Sequence, residues 1–472
     1  MSTHNQSQGP EINNMPHRVF YAARKAIASH ATGSNCLIFA TILALILANI
    51  PGVNDWYQSL WNYEVRFQIG DFNLFSHEGH PMSLMAFIND ALMAVFFFSI
   101  GLEIKREMLV GELSSFRQAL LPIMGAIGGM AVPVAIFFLF AHGTDYAGGA
   151  AIPMATDIAF SLGVLVMLGK RVPVSLKVFL TTLAVADDIG GIIVIATCYS
   201  TGLEWQLLAI AAGILFVLYM GGRWQIQTKA FYIGLGVVVW FLFLQAGIHP
   251  TIAGVLVALT IPAKPVYAPA KYIQQIRKAM DHFKDEDVKA LEAKTILSKD
   301  QMNWLKQVES ASDKVISPLQ ELEDSLHGVV NYFIVPLFAF ANAGICLLGM
   351  DPMTVFEGVS LAIICGLVLG KFIGIFTASW LTIKLKLAPM PDHANWHQLA
   401  AVSMLGGIGF TVSIFIATLS FPGKDPHSMD LLNHAKLGIV VGSILSGIIG
   451  YIWLKCTLPA CAEDSGECDE DE

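Results

Sequence analysis

Apolar residues in this chain come in long blocks, and polar residues collect in the stretches between them. Twelve blocks can be marked out. Their approximate limits are 35–54, 81–106, 116–141, 149–168, 172–199 and 204–222 in the first half, and 229–246, 249–262, 327–350, 353–384, 396–421 and 430–455 in the second. Most reach the roughly 17–25 residues that a helix needs to cross hydrocarbon, and 249–262 is the shortest. Helices that are apolar on every side have no face to offer water, so the blocks predict membrane spans.

Two connecting stretches carry patterns of their own. In "EVRFQIGDFNLFS" the apolar residues Val65, Phe67 and Ile69 alternate, the chain turns at Gly70-Asp71, and alternation resumes through Phe72 and Leu74. That pattern predicts a small β-hairpin within 63–75, in the first outside loop. A lone hairpin is marginal in water, so a homodimer formed through it is expected. The insert 263–326 has runs such as "DHFKDEDVKALEAK", whose mixed charges at helical spacing predict a solvated cytoplasmic helix, read as a spacer.

Composition supports the same class. Of 472 residues, 55% are apolar and 14% charged, whereas a soluble domain carries about a quarter charged. If the N-terminus is cytoplasmic, fourteen Lys and Arg flank the spans on the inside and ten more lie in the insert. Only Arg66 and Lys424 fall outside. Dropping the short span 249–262 would invert everything after it and place the Lys-rich insert outside. The expectation is therefore an all-α polytopic membrane protein of about twelve spans with both termini cytoplasmic. It divides into a polar N-terminal segment 1–34 without signal-peptide features, a transporter domain 35–455 and an acidic tail 456–472. The seven cysteines show no CxxC pairing and are read as free thiols. No cofactor, catalytic residue or nucleic-acid partner is expected.

Against this background the ionisable residues inside the spans stand out. Asp187 and Asp188 lie side by side in "LAVADDIGGIIVIA", Asp157 in "AIPMATDIAFSLG" and Lys371 in "GLVLGKFIGIF". Each carboxylate costs about 2.5–3.5 kcal/mol at the bilayer centre, and such groups usually line an ion path. Asp90, in "INDALMAVFFF", is read as a residue hidden in the bundle and neutralised by a neighbour. Pro153 interrupts one span and "GGIGFT", with Gly406, Gly407 and Gly409, interrupts another in the second half. Interrupted spans in corresponding halves are the best sequence pointer to a transporter's binding site.

Two ionised aspartates offer hard oxygen ligands suited to Na+ or Li+, and protonated they release it. Cation and protons then compete for one coupled pair, the minimum machinery of an antiporter. Lys371 can neutralise one carboxylate when the cation is absent.

At this point the residues match a family. "FFFSIGLEIKREM", "IPMATDIAFSLGVL", "LAVADDIGGIIVIA", "AGIHPTIAGVL", "VPLFAFANAG", "LGKFIGI" and "GGIGFTVSIFIA" resemble the NhaA sodium/proton antiporters of bacterial cytoplasmic (inner) membranes. The likeness is collinear from about Phe72 to Trp453, the insert apart. It implies twelve helices with inverted-topology repeats, here 116–199 and 353–455, whose two broken helices cross near the bilayer midplane. It implies that Asp187 and Asp188 bind the cation and protons, that Thr156, Asp157, Gly407 and Gly409 form the broken-helix crossing, and that Lys371 compensates charge. It further implies electrogenic, pH-regulated export of Na+ or Li+ against a larger number of H+, serving sodium and pH homeostasis. Glu103, Glu107, Glu323 and His327 match positions of the family's pH response. Asp324 departs from it by standing where better-known relatives carry a second histidine, and the insert is longer than usual. His249 is also matched, with a structural histidine as the alternative to a titrating one.

Two other classes compete with this reading. An intramembrane aspartyl protease is expected to place aspartates on two helices, one in a Gly-x-Gly-Asp context, and "ADDIGG" and "ATDIAF" lack that motif. A sodium-coupled importer of an organic solute needs a further solute pocket, and a lysine facing an acidic cluster argues against one.

Overall fold

The computed structural model describes residues 33–458 apart from 67, 70–71, 74–75, 78–79, 201, 266–268, 281–297, 347–351 and 424. Helices dominate it: α1 (Gly33–Ala48), α2 (Asn54–Trp61), α3 (Leu84–Val110), α4 (Phe116–Ala141), α5 (Ile158–Met167), α6 (Val174–Cys198), α7 (Trp205–Arg223), α8 (Lys229–Gln245) and α9 (Thr251–Thr260). Then follow α10 (Pro269–Met280), α11 (Lys299–Val315), α12 (Pro318–Asn342), α13 (Gly358–Lys384), α14 (Trp396–Leu405), α15 (Phe410–Ser420) and α16 (Pro426–Thr457). Among the described residues eight helical stretches are long and apolar enough to cross a membrane, α5 counting together with the turn Ala147–Met154 before it. The bent pair α14 and α15 makes a ninth. The helices α1, α8 and α9 are apolar but shorter.

Local chemistry moves several limits from those expected. The second block begins at Leu84 rather than residue 81, because His80–Ser83 is a strand and Ser83 Oγ caps the helix by accepting from Ala86 N at 3.1 Å. The ninth begins at Pro318 rather than His327. There Ser317 and Gln320 form a capping box with Pro318 in the first turn, so 318–326 is helix continuous with the span rather than part of the insert. Within the insert α10 and α11 pack on each other, and the run "DHFKDEDVKALEAK" lies outside the described residues. The expected hairpin is present as Gln68–Ile69 paired antiparallel with Phe72–Asn73. Beside it His80–Ser83 pairs with both Glu64–Val65 and Ser76–His77.

The broken spans lie one in each half, each followed by a long helix. The first is a 3-10 turn (Ala147–Met154), an extended stretch at 155–157 and then α5. Pro153 lies inside the 3-10 turn, so the break falls just after it. The second bends by 43° where 406–409 separates α14 from α15.

What draws the two halves together is the α4–α13 pair. Gly128 and Gly374 face each other so closely that a Cβ on either would overlap the other's backbone carbonyl. Pro133, inside α4, packs against a π-helical turn of α13 (Gly366–Gly370) that ends just before Lys371. Elsewhere the Tyr57 hydroxyl donates to Phe340 O, and the rings of Tyr57, Trp61 and Phe340 meet edge to face at 5.6 Å, pinning α2 to the end of α12. Burial pushes the Tyr57 phenol up to about 12, so it stays a donor at physiological pH.

The close α4–α13 approach has no room for a branched side chain. Gly374→Val is expected to cost about 1–3 kcal/mol through overpacking, read as a lower melting temperature of the purified protein. Ala substitution at Gly148, whose Cβ would meet nothing within 4 Å, should leave it unchanged.

Candidate functional site

The site is built where the two breaks cross. Asp157 N donates to Ile408 O at 2.7 Å, tying one break to the other. The Asp157 carboxylate then serves two helix starts. Its Oδ1 accepts from Phe160 N at 3.2 Å as the N-cap of α5. Its Oδ2 accepts from Thr411 N at 2.9 Å and Thr411 Oγ1 at 2.5 Å, in the first turn of α15. Helix N-termini carry unsatisfied N–H groups and partial positive charge, so one buried carboxylate answers both. Ser413 Oγ donates to Ile152 O at 2.8 Å and Gly409 N donates to Ser443 Oγ at 3.3 Å, completing the seam. Gly409 is required by contact: a Cβ there would run into Ser413 Oγ and lie 2.9 Å from Ala155 O. A Cβ at Gly407 would overlap Leu367 O.

Successive residues on a helix point about 100° apart, so Asp187 and Asp188 face different surroundings. Asp187 faces the crossing. Lys371 Nζ donates to Asp187 Oδ2 and, at 2.9 Å, to Thr156 Oγ1. Thr156 Oγ1 lies 2.6 Å from Asp187 Oδ2 and 2.9 Å from Gly406 O, so its single proton has two acceptors to choose between. Lys371 is 0% exposed, with its ammonium held entirely by protein oxygens. Asp187 Oδ1, also buried, has no partner. Asp188 is 5% exposed and accepts no hydrogen bond among the described residues; Asp187, Glu103 and Asp157 are within its electrostatic reach.

The remaining candidates form a second cluster nearer one end of α3. Arg106 bridges it, with Nη2 2.9 Å from Glu107 Oε1 and Nε 3.1 Å from Glu323 Oε1. Glu103 feels Arg106, Glu107 and Glu323 electrostatically, which links this cluster to the Asp188 side of the site. His327 bonds to Asn331 at 3.0 Å and to none of these acids. Lys105 is engaged elsewhere, donating to Leu259 O at 2.7 Å and to Ile261 O at the C-terminal end of α9.

Thus Thr156, Asp187 and Lys371 meet, Asp157 meets Gly409's segment, and Glu107 and Glu323 meet through Arg106. Asp90 is not brought to the aspartate pair. It sits in a π-helical turn (Ile88–Leu92) with His249 Nε2 3.4 Å away, while His249 Nδ1 lies 2.9 Å from Thr251 Oγ1. Thr411, Ser413 and Ser443 were not anticipated. A Thr two residues after Gly409, where a new helix starts, was the available signal. Among the described residues no three His, Cys, Asp or Glu are grouped to hold a metal ion.

The buried ion pair generates a test of its own. Lys371→Met leaves Asp187 uncompensated and is expected to cost about 3–5 kcal/mol. Adding Asp187→Asn should recover most of that loss, measured as melting temperatures around a double-mutant cycle. Additive losses would mean that the two side chains are not coupled.

Comparisons with known proteins agree along nearly the whole chain. The family model described as "Na+/H+ antiporter 1" matches residues 24–454. The chain is 54% identical over 439 residues to the "Na(+)/H(+) antiporter NhaA" of Phocaeicola vulgatus, covering 93% of this chain and 96% of that one. It is 52% identical over 429 residues to the protein of the same name from Bacteroides fragilis, covering 91% and 96%. Against that of Oleidesulfovibrio alaskensis it is 42% identical over 437 residues, covering 92% and 94%. A broken-helix crossing with a buried Lys–Asp pair beside a second aspartate thus sits within a match to one family over almost its full length, and the chain belongs to the NhaA sodium/proton antiporters.

Proposed function

We propose that the protein exports Na+, or Li+, across the bacterial cytoplasmic (inner) membrane in exchange for a larger number of H+. Exchange is electrogenic and pH-regulated and serves sodium and pH homeostasis. The observation that carries this reading is the unequal state of the two aspartates: Lys371 occupies Asp187 Oδ2, while among the described residues Asp187 Oδ1 is unpartnered and Asp188 accepts no hydrogen bond. Hard carboxylate oxygens suit Na+ and Li+. A cation entering between the aspartates competes with Lys371 for Asp187 and with protons for Asp188. Asp188 would carry one proton, and the Asp187–Lys371 pair would release the charge that a second requires. No resident cofactor enters the scheme, because the ions are the cargo.

The architecture assigned here is twelve spans with both termini cytoplasmic, reached by adding α1, α8, α9 and the bent pair once to the eight long spans. The units 116–199 and 353–455 each run long helix, broken helix, long helix, the order that an inverted repeat requires. Asp157 holds the crossing together, and Thr156 links it to the ion pair. The hairpin within 63–75 is periplasmic and joins two copies. Glu103, Glu107, Glu323 and His327 set the pH response around Arg106. With Asp324 in place of a second imidazole, that response is shifted relative to a short-insert relative, because one group titrating near neutrality is missing.

The experiment uses everted membrane vesicles holding an imposed pH gradient, followed with a fluorescent pH dye across about pH 6.5–8.5. Sodium alone should collapse the gradient in wild type and leave it intact with Asp188→Asn. A potential-sensitive dye should register charge movement on the same addition. No response to sodium at any pH would overturn antiport, and a response that needs an organic solute would turn the reading to a coupled importer.

A further inference from the structure

Outside the ion site, a groove of about 660 Å3 lies between α1, α5 and α16, in the size range of small-molecule pockets. It opens outward past Ile444, Ile448 and Ile452, and Ile408 and Phe410 of the broken second span also line it. Its two aliphatic hydroxyls are turned to backbone: Thr41 Oγ1 donates to Leu37 O at 2.8 Å, and Ser443 Oγ accepts from Gly409 N at 3.3 Å. What remains is a hydrocarbon surface in a helix bundle of a membrane antiporter family. At one end stands Tyr451, and the exposed ammonium of Lys455 lies 5.9 Å from the centre of its ring. An aromatic ring beside a cation at the end of an apolar slot is the arrangement of the membrane interface, where headgroups lie.

We propose that this groove binds one bilayer phospholipid, with an acyl chain laid along α16 and the phosphate at Lys455. Two observations select that occupant. The walls are matched to an alkyl chain, their aliphatic hydroxyls already turned to backbone, and the Lys455 ammonium beside Tyr451 is of the sign that a phosphate answers. The binding has a consequence for the crossing. The occupant touches Ile408 and Phe410, which flank Gly409, and Ser443, which holds Gly409 N, so the acyl chain braces the break.

The test is native mass spectrometry of the full chain in detergent, titrated with phosphatidylglycerol and with phosphatidylethanolamine. Wild type should retain one phospholipid. At Gly447 a Cβ would meet Ile408 Cδ1 at an ordinary 3.5 Å, so Gly447→Phe is aimed at filling the groove without disturbing the backbone. Losing the burial of only two methylenes is worth about tenfold, so lipid occupancy should fall by that factor or more. Lys455→Gln, at an exposed position, should reduce the preference for phosphatidylglycerol several-fold and keeps the test decisive if Gly447→Phe fails to fold. Equal retention by wild type and Gly447→Phe would overturn the proposal. So would a wild type that retains no lipid in excess phosphatidylglycerol, as when part of its own chain fills the groove. Loss of a paired chain rather than of lipid in Gly447→Phe would assign the groove to a second copy. The readout counts bound lipid and is independent of ion transport.

Discussion

A buried ammonium has to be answered by charge and by hydrogen bonds, and the answer given to Lys371 organises much of the surrounding structure. Its partners, Asp187 and Thr156, belong to α6 and to the extended break before α5, and Thr156 also reaches Gly406 in the other break. One side chain from α13 therefore holds α6 and both broken segments in register. Lys371 arrives there because α13 opens into a π-helical turn just before it, packed on Pro133 of α4. The glycine-to-glycine approach of α4 and α13 then sets how deep the ammonium sits. Removing charge from such a pair is far more damaging than never having built it, since desolvation of the survivor is no longer offset.

Three aspartates lie in this region, and their environments give them different work. Asp157 accepts three hydrogen bonds from two helix starts and has little acceptor capacity left for a ligand, so its part is to close the crossing. Asp187 is divided, one oxygen taken by Lys371 and Thr156 and the other unpartnered. Asp188 accepts no hydrogen bond among the described residues. A cation that engages both neighbours meets an unpartnered acceptor at Asp188 and a competitor at Asp187. In the proposed exchange, competition at one carboxylate and open access at the next would couple cation arrival to charge release. Equal satisfaction of the two would bind either too weakly or too permanently to exchange.

Much of this was legible in the residue pattern. The long apolar blocks translated directly into helices, Phe116–Ala141 to the residue, because nothing local competes with a helix in hydrocarbon. The costly charges pointed to the crossing, where Asp157, Asp187 and Lys371 find their partners. Partner identity was harder to read. Lys371 is 184 residues from Asp187, and Asp90 finds His249 rather than the other acids, matters decided by the bundle and not by spacing. Limits moved where caps and strands act, as at Ser83 and Ser317, whose hydroxyls end one conformation and start another. The break falls just after Pro153, at the Thr156–Asp157 crossing, because proline is compatible with the 3-10 turn that precedes the extended stretch.

Irregular helix is the common device behind these placements. Three π-helical turns occur among the described residues: one contains Asp90, one begins three residues after His327 and contains Asn331, to which His327 bonds, and one ends just before Lys371. An inserted residue shifts the face of every side chain beyond it at the expense of local hydrogen-bond geometry. In a span that is apolar all round, such a shift leaves the lipid contact unchanged in kind, and what it changes is where the few polar groups point. That is why the polar sites of this bundle depend on backbone irregularity while its outer surface does not. It also explains why a hydrophobic pattern that reads the spans well says little about which charged group faces which.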